Sequence, residues 1–268
     1  MLCAFDLTIN HVAPEWSKVG YTVGLIGFPF NAVLAWPMAT QSGYAFFVKP
    51  EVNAKMRVIL DSWRDKVLKT GLSQYVLGET KAGWLQPEPL KVTAQDTNPD
   101  GREWPSFEEL FECNKKRSHW RFASWDAVFV TKFKNIDTLR PVAKSTDNNW
   151  VVNSCESKSY AHQTNVKEQD SFWLKGQPYS VSEIMAHDGL EKDFIGDTVY
   201  QVFRSATSYH RWHSPVDGKI VKKWIINGTY FSEPIITGFT NPDSPDPAAP
   251  DQGQECITHL ATRAIFLI

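Results

Sequence analysis

The segment at residues 205–220, SATSYHRWHSPVDGKI, contains two histidines three positions apart, followed by a turn-forming Pro-Val-Asp-Gly sequence. The residues before them are typical of an extended strand, in which side chains three positions apart point to opposite faces. His210 and His213 are therefore poorly placed to share one zinc ion, and no HExxH sequence surrounds them. A metal hydrolase built on this pair is the least favoured interpretation. Two roles stay open: hydrogen-bonded structural histidines, or acid–base groups, since imidazole titrates near neutral pH.

The composition argues against nucleic-acid binding and for a reducing compartment. The 268-residue chain has a formal net charge of −2 and a pI near 6.4, whereas a general nucleic-acid binder carries a basic face. The cysteines are far apart and form no CxxC pair, which disfavours a disulfide framework or a zinc ribbon. They are Cys3, Cys113, Cys155 and Cys256.

The first residues show no signal-peptide pattern, so the sequence predicts a cytoplasmic protein. The most apolar run, residues 23–36, spans only 14 positions and contains Pro29. This length is too short for a transmembrane helix and fits a buried or interfacial segment better.

Helical patterns dominate the first part of the chain. In residues 50–71 the apolar side chains recur at helical spacing, from Met56 to Val67, which predicts an amphipathic core helix. Ser106 and Glu109 form a capping-box pattern ahead of a short helix. These features predict an N-terminal helical domain over residues 1–118.

From about Ser124 the pattern becomes rich in strands. Residues 197–204 and 218–226 alternate as strands do, and Asn227-Gly228 is a typical hairpin-turn sequence. Ser180 with Glu183 predicts a second capping box. Residues 240–254 are rich in proline and poor in apolar side chains, which predicts an exposed, mobile loop. The fold class is therefore predicted to be α+β, with a β-rich domain over residues 119–268.

The histidine segment resembles the Tyr-His-Arg-x-His-x-Pro motif of phosphatidylserine decarboxylases. Three further segments resemble that family's motifs in the family's order, over residues 124–268. The first half is similar to the helical domain of fungal members, a branch that includes L-tryptophan decarboxylases. The three further motif-like segments are FKNIDTLRP, WLKGQPYSVSEIM and NGTYFSE. The segments of the first half that resemble the fungal helical domain are FPFNAVLAWPMAT and GWLQPEPL.

The resemblance implies a self-processing enzyme. Family members are proenzymes in which a Ser attacks the preceding Gly carbonyl and becomes a pyruvoyl group, which serves as an electron sink when carbon dioxide leaves. Self-cleavage needs a histidine base and an acid that orients it, as in a serine-protease triad. The resemblance assigns His213 as that base and His210 as the second family histidine, acting in decarboxylation and protonation. Glu156, in Ser-Cys-Glu-Ser, stands where the family has Asp, and the tryptophan-decarboxylase branch resembles this Cys-Glu-Ser form.

The resemblance also sets an expectation about what this chain lacks. No Gly-Ser dipeptide occurs in it, so we expect the chain to stop before the pyruvoyl-forming Ser and to form no pyruvoyl cofactor alone. The catalytic domain is then incomplete at its C-terminus, with no cofactor-binding residue and no metal ligand assigned.

The implied activity is decarboxylation of a small amine-bearing carboxylate, either phosphatidylserine or an aromatic amino acid such as tryptophan. The alternative is a non-catalytic truncated homologue, a pseudoenzyme that binds a ligand or partner. Peripheral membrane contact and pairing with a C-terminal pyruvoyl chain or a second copy stay open, and no nucleic-acid partner is expected.

Overall fold

The computed structural model describes residues 2–16, 30, 34, 37–38, 40–78, 83–97, 106–170, 179–231 and 254–268. Its α-helices are α1 (Leu2–His11), α2 (Gln41–Phe47), α3 (Pro50–Trp63), α4 (Pro87–Asp96), α5 (Phe107–Leu110), α6 (Trp125–Phe129), α7 (Ile136–Leu139), α8 (Val181–Met185) and α9 (Gln254–Leu260). A π-helical turn (Arg64–Leu68) continues α3, and 3-10 turns span Gly71–Leu77 and Leu190–Phe194.

Within the described residues, four strands form two small antiparallel sheets. Strand β1 (Lys158–Thr164) pairs with β2 (Thr198–Phe203), and β3 (Lys222–Ile226) pairs with β4 (Arg263–Leu267). Helices and antiparallel strands together make a mixed α+β structure, as the sequence predicted.

The chain divides into two compact units. The first, here the histidine unit, comprises the described parts of residues 1–33, 59–157 and 204–217. The second, the sheet unit, comprises those of residues 34–58, 158–203 and 218–268. The domain boundary expected between residues 118 and 119 stays a prediction.

Aromatic side chains dominate the core of the histidine unit. Trp84 lies edge-on to Trp125, with ring centroids 5.7 Å apart. The indole N–H groups of Trp63 and Trp84 donate to the carbonyls of Val12 and Pro14, at 2.6 and 2.8 Å. Large rings are therefore buried without leaving these polar atoms unpaired. The predicted helix at residues 50–71 contributes Trp63 and Val67 to this core.

The Ser106–Glu109 capping box is confirmed. The Glu109 carboxylate accepts a hydrogen bond from the Ser106 backbone N–H at 2.7 Å. It thereby pairs a donor that the start of α5 would leave free.

The second capping box was a wrong prediction, although α8 begins where expected. The Ser180 hydroxyl is buried and accepts a hydrogen bond from the Asp170 backbone N–H at 2.9 Å. The Glu183 carboxylate pairs with His187 at 3.2 Å. Both side chains of the predicted box are thus engaged elsewhere.

The core of the sheet unit lies against β3 and β4. Trp224 and Leu267 pack against a cluster of four buried residues, Val166, Tyr179, Val181 and Met185. The Arg263 guanidinium donates to the carbonyl oxygens of Glu183 and Ile184, the latter at 2.7 Å, near the end of α8. Cations stabilise helix C-termini in this way, so Arg263 holds β4 to α8.

The hairpin predicted at Asn227-Gly228 does not form. Strand β3, which ends just before it, pairs with β4 near the end of the sequence. Gly228 instead lies against the backbone that joins α9 to β4: a Cβ there would lie 2.1 Å from the Leu260 carbonyl oxygen. Glycine is required by this close approach and not by a turn. The loop predicted over residues 240–254 lies outside the described residues except for Gln254, which begins α9.

Gly228→Ala should therefore lower the free energy of unfolding by about 1–3 kcal/mol, the usual cost of overpacking. Urea denaturation would measure this loss. Gly71→Ala is the control, because a Cβ there meets only the Gln74 side chain at 3.8 Å, and it should stay within about 1 kcal/mol of wild type. Equal stability of the two variants would contradict the close approach.

Candidate active site

Two backbone hydrogen bonds join the segment of Glu156 to the segment of the histidines. The Val152 N–H donates to the Pro215 carbonyl at 2.9 Å, and the His213 N–H donates to the Ser154 carbonyl at 2.8 Å. This is a short antiparallel pairing. In this pairing His213 lies opposite Ser154, two residues before Glu156. The His213 side chain is exposed.

Glu156 is held by Arg140. Its side chain is 13% exposed, and Oε1 accepts a hydrogen bond from Arg140 Nε. The same guanidinium donates to the carbonyls of Leu139, at 2.7 Å, and of Thr97. It also lies 5.0 Å from the centroid of the Phe133 ring. With three acceptors and a ring around it, Arg140 has a fixed direction and so fixes one oxygen of the carboxylate.

The second oxygen of Glu156, unlike the first, has no hydrogen-bond donor among the described residues. Oε2 is buried and has no hydrogen-bond partner within the described part of the chain. Burial raises the pKa of Glu156 above its usual value, and the positive charges of Arg140 and Arg204 limit that rise. A buried acceptor without a donor is costly in a folded protein. It is therefore a position where an N–H group would be stabilised.

His210 is oriented by a ring and a carbonyl. Its imidazole stacks on Phe129, with ring centroids 3.8 Å apart and planes 19° from parallel. Nε2 lies 3.0 Å from the Ala206 carbonyl oxygen. A carbonyl only accepts, so Nε2 carries the hydrogen and Nδ1 of the neutral ring is a proton acceptor. Burial lowers the pKa of His210, which favours this neutral form.

Arg204 lies near both Glu156 and His210, and the sequence did not point to it. Its charge lowers the pKa of Glu156 and of His210. Its Nη2 donates to the Arg211 carbonyl at 2.9 Å, while its Nε is buried without a partner among the described residues. Arg204 follows β2 directly, and nothing in its sequence surroundings marks it. Arg140 carried a signal, the Arg-Pro ending of FKNIDTLRP, but no indication of its partner.

Tyr209 connects the histidine segment to the support of Glu156. It is buried, and its ring stacks on Phe133 with centroids 4.1 Å apart. Phe133 is the same ring that contacts Arg140. Burial raises the pKa of Tyr209, so the phenol stays neutral and serves as packing and as a hydrogen-bonding group.

The lowered pKa of His210 predicts a pH effect on stability. Below about pH 6.5, the ordinary histidine value, the unfolded chain takes up a proton that the folded chain excludes. His210 therefore contributes stability that is present above that pH and is lost as the pH falls toward the folded-state pKa. When the pH is lowered from about 7.5 to 5.5, the free energy of unfolding measured by urea denaturation should fall less for His210→Gln than for wild type. An equal decrease of the free energy of unfolding in both proteins would contradict the burial of a neutral His210 ring.

Over the residues that the structure describes, no three His, Cys, Asp or Glu side chains come together as metal ligands would. In the same residues, no helix has both the length and the apolar character needed to cross a membrane.

Two family models match the chain. Both are described as phosphatidylserine decarboxylase; one matches residues 1–92 and the other residues 125–246. The chain belongs to the phosphatidylserine decarboxylase family. The first match covers helices α1 to α3, and the second covers Arg140, Glu156 and both site histidines.

Its relatives are decarboxylases of this family. Decarboxylase iboD of Amanita muscaria is 36% identical over 85% of this chain and 60% of its own length. The L-tryptophan decarboxylase of Psilocybe cubensis is 31% identical over 91% of this chain and 56% of its own length. The phosphatidylserine decarboxylase proenzyme of Fusobacterium nucleatum is 32% identical over 47% of this chain and 42% of its own length. The chain thus spans little more than half of the fungal relatives it matches.

Proposed function

We propose that this chain carries the acid and base machinery of a pyruvoyl-dependent carboxy-lyase. The observation that supports this most strongly is the state of Glu156. One carboxylate oxygen is anchored by Arg140, the other is buried without a donor, and the segment is hydrogen-bonded to that of His213.

The proposed roles follow from the chemistry of each group. Glu156 Oε2 receives an N–H from the His213 imidazole, which fixes the tautomer and makes the opposite ring nitrogen the base. His213 then removes the proton of the serine hydroxyl that attacks the neighbouring glycine carbonyl. His210, neutral and held through Nε2, exchanges a proton through Nδ1 with the reacting substrate.

These 268 residues contain no Gly-Ser dipeptide, so the proposal assigns the pyruvoyl-forming serine to a segment outside them. When present, the pyruvoyl group supplies an electron sink for loss of carbon dioxide. The donor set fits it: Glu156 is an oriented carboxylate and His213 lies in the segment paired with it, and serine self-processing requires one acid and one histidine base.

As substrate we propose a free amino acid with an aromatic side chain, as opposed to a phospholipid. The alignment with the P. cubensis L-tryptophan decarboxylase extends over 91% of this chain, and that with the F. nucleatum phosphatidylserine decarboxylase proenzyme over 47%. The likeness to the tryptophan enzyme thus includes the N-terminal helices.

We place the protein in the cytoplasm, which its free thiols at Cys3, Cys113 and Cys155 support.

The test is to express the natural reading frame that contains this chain and to examine its product on a denaturing gel and by mass spectrometry. We expect two chains, the smaller one beginning with a pyruvoyl group, and release of carbon dioxide from L-tryptophan. Release from phosphatidylserine vesicles instead would overturn the substrate but not the enzyme class. A single uncut chain without activity would favour the non-catalytic homologue.

A further inference from the structure

A strongly basic loop lies outside the candidate active site. Residues 112–122, ECNKKRSHWRF, contain four Lys or Arg residues and one histidine against a single acid, Glu112. The loop falls between the two segments that match the family models, residues 1–92 and 125–246.

The backbone of this loop is strained at three consecutive residues. His119, Trp120 and Arg121 have φ values of 46°, 52° and 74°. Residues other than glycine enter the left-handed region singly and at a cost. Such strain persists only where its surroundings enforce it, and it occurs preferentially at binding sites.

Backbone hydrogen bonds and packing enforce the strained turn. The Asn114 N–H donates to the Trp120 carbonyl at 3.0 Å, and the Phe122 N–H donates to the His119 carbonyl at 2.9 Å. Trp120 packs against Phe107, with ring centroids 6.2 Å apart. The loop is thus a defined shape anchored to the core, and its basic side chains are presented from a fixed backbone.

An open cavity of about 620 Å³ lies on the surface at this turn, and the described residues that line it are all exposed: Asn114, Arg117, Ser118 and Arg121. Among the described residues, the lining contains two guanidinium groups, an amide and a hydroxyl, and no carboxylate. Neither arginine forms an ion pair with any residue in the described ranges. Lys115 and Lys116 are exposed beside the cavity.

We infer that this cavity binds a phosphate group. Guanidinium groups bind phosphate oxygens with two parallel hydrogen bonds, and two of them balance the charge of a dianion. The Asn114 amide and the Ser118 hydroxyl supply neutral donors to the remaining oxygens. The phosphate belongs either to a soluble compound or to the headgroup of an anionic lipid. This inference does not depend on the proposed decarboxylase activity.

The experiment uses the 268-residue chain and two probes. Inorganic phosphate binding is followed by ³¹P NMR, and sedimentation with vesicles is compared between phosphatidylcholine and phosphatidylcholine containing phosphatidic acid. The test variant is Arg117→Gln/Arg121→Gln. Lys219→Gln/Lys223→Gln removes the same charge from exposed residues of the sheet unit, and Arg117→Lys/Arg121→Lys keeps the charge but not the fork geometry. Circular dichroism confirms that each variant is folded.

We expect Arg117→Gln/Arg121→Gln to weaken phosphate binding at least about tenfold. The Lys219→Gln/Lys223→Gln control should bind as wild type does, and Arg117→Lys/Arg121→Lys should fall between. Sedimentation with phosphatidic acid vesicles, competed by phosphate, would identify a lipid headgroup as the source. Phosphate binding without vesicle binding would identify a soluble ligand. No phosphate binding by wild type, or equal loss in test and control variants, would overturn the inference.

Discussion

His213→Ala should leave the product of the natural reading frame as a single uncut chain. Without the imidazole, the attacking serine hydroxyl has no base, and removal of such a base slows reactions by about 10²–10⁴-fold. Glu156→Gln should slow cleavage to a similar extent, because the amide presents N–H groups as well as an oxygen and no longer enforces one histidine tautomer. The measurement is the fraction of cleaved protein on a denaturing gel after timed incubation at a fixed pH.

Two histidine controls separate this role from loss of folding. His210→Ala should still be cleaved, but the processed enzyme should turn over slowly, since its proposed proton exchange concerns the substrate. His162→Ala changes an exposed residue of β1 and should affect neither step. Normal processing of His213→Ala would refute the assignment of the base, and full turnover of His210→Ala would end the assignment of that residue.

Local features of this fold were predictable from the sequence, and features that depend on distant segments were not. The Ser106–Glu109 capping box is complete within four residues and forms as expected. Ser180 presents the same local pattern, but its hydroxyl bonds to the backbone of Asp170, a partner ten residues away that no local rule identifies. The Asn227-Gly228 turn failed for the same reason, since the strand before it pairs with residues 263–267.

The candidate site was likewise predictable only where local sequence determines it. The resemblance of the histidine segment and of the Cys-Glu-Ser sequence to the family's motifs pointed to His210, His213 and Glu156 in one site, and their roles stay predictions. The partner of Glu156 did not follow, because Arg140 lies 16 positions earlier and its own support includes the Thr97 carbonyl, 43 positions further back. Periodicity also gave no indication of the left-handed turn at residues 119–121, since its enforcing contacts are tertiary.

Arg140 offers a physical account of how a glutamate can serve at a position where the resemblance to the family implies an aspartate. The longer side chain has one more rotatable bond and would lose more freedom when it orients a histidine. A guanidinium that is itself fixed by the carbonyls of Leu139 and Thr97 removes that freedom by holding Oε1. Oε2 is then held in one place, where it can accept a hydrogen bond.

Arg140→Met should accordingly be among the most destabilising single changes in the histidine unit. It removes the cation and leaves the Glu156 carboxylate buried, a loss that costs about 3–5 kcal/mol for fully buried pairs. The side chains here are 23% and 13% exposed, so we expect a loss of about 2–4 kcal/mol at about pH 8. Urea denaturation measures the loss.

A double-mutant cycle distinguishes this pair from simple loss of arginine packing. Arg140→Met/Glu156→Gln removes both charges of this pair, so it should be less destabilised than the sum of the single variants by about 1–3 kcal/mol. Arg64→Met is the matched control, because Arg64 contacts Asp61 and Asp65 on an exposed surface, where ion pairs contribute little. Additive single variants would show that Arg140 acts through packing alone, and the proposed orientation of Glu156 would then lose its structural basis.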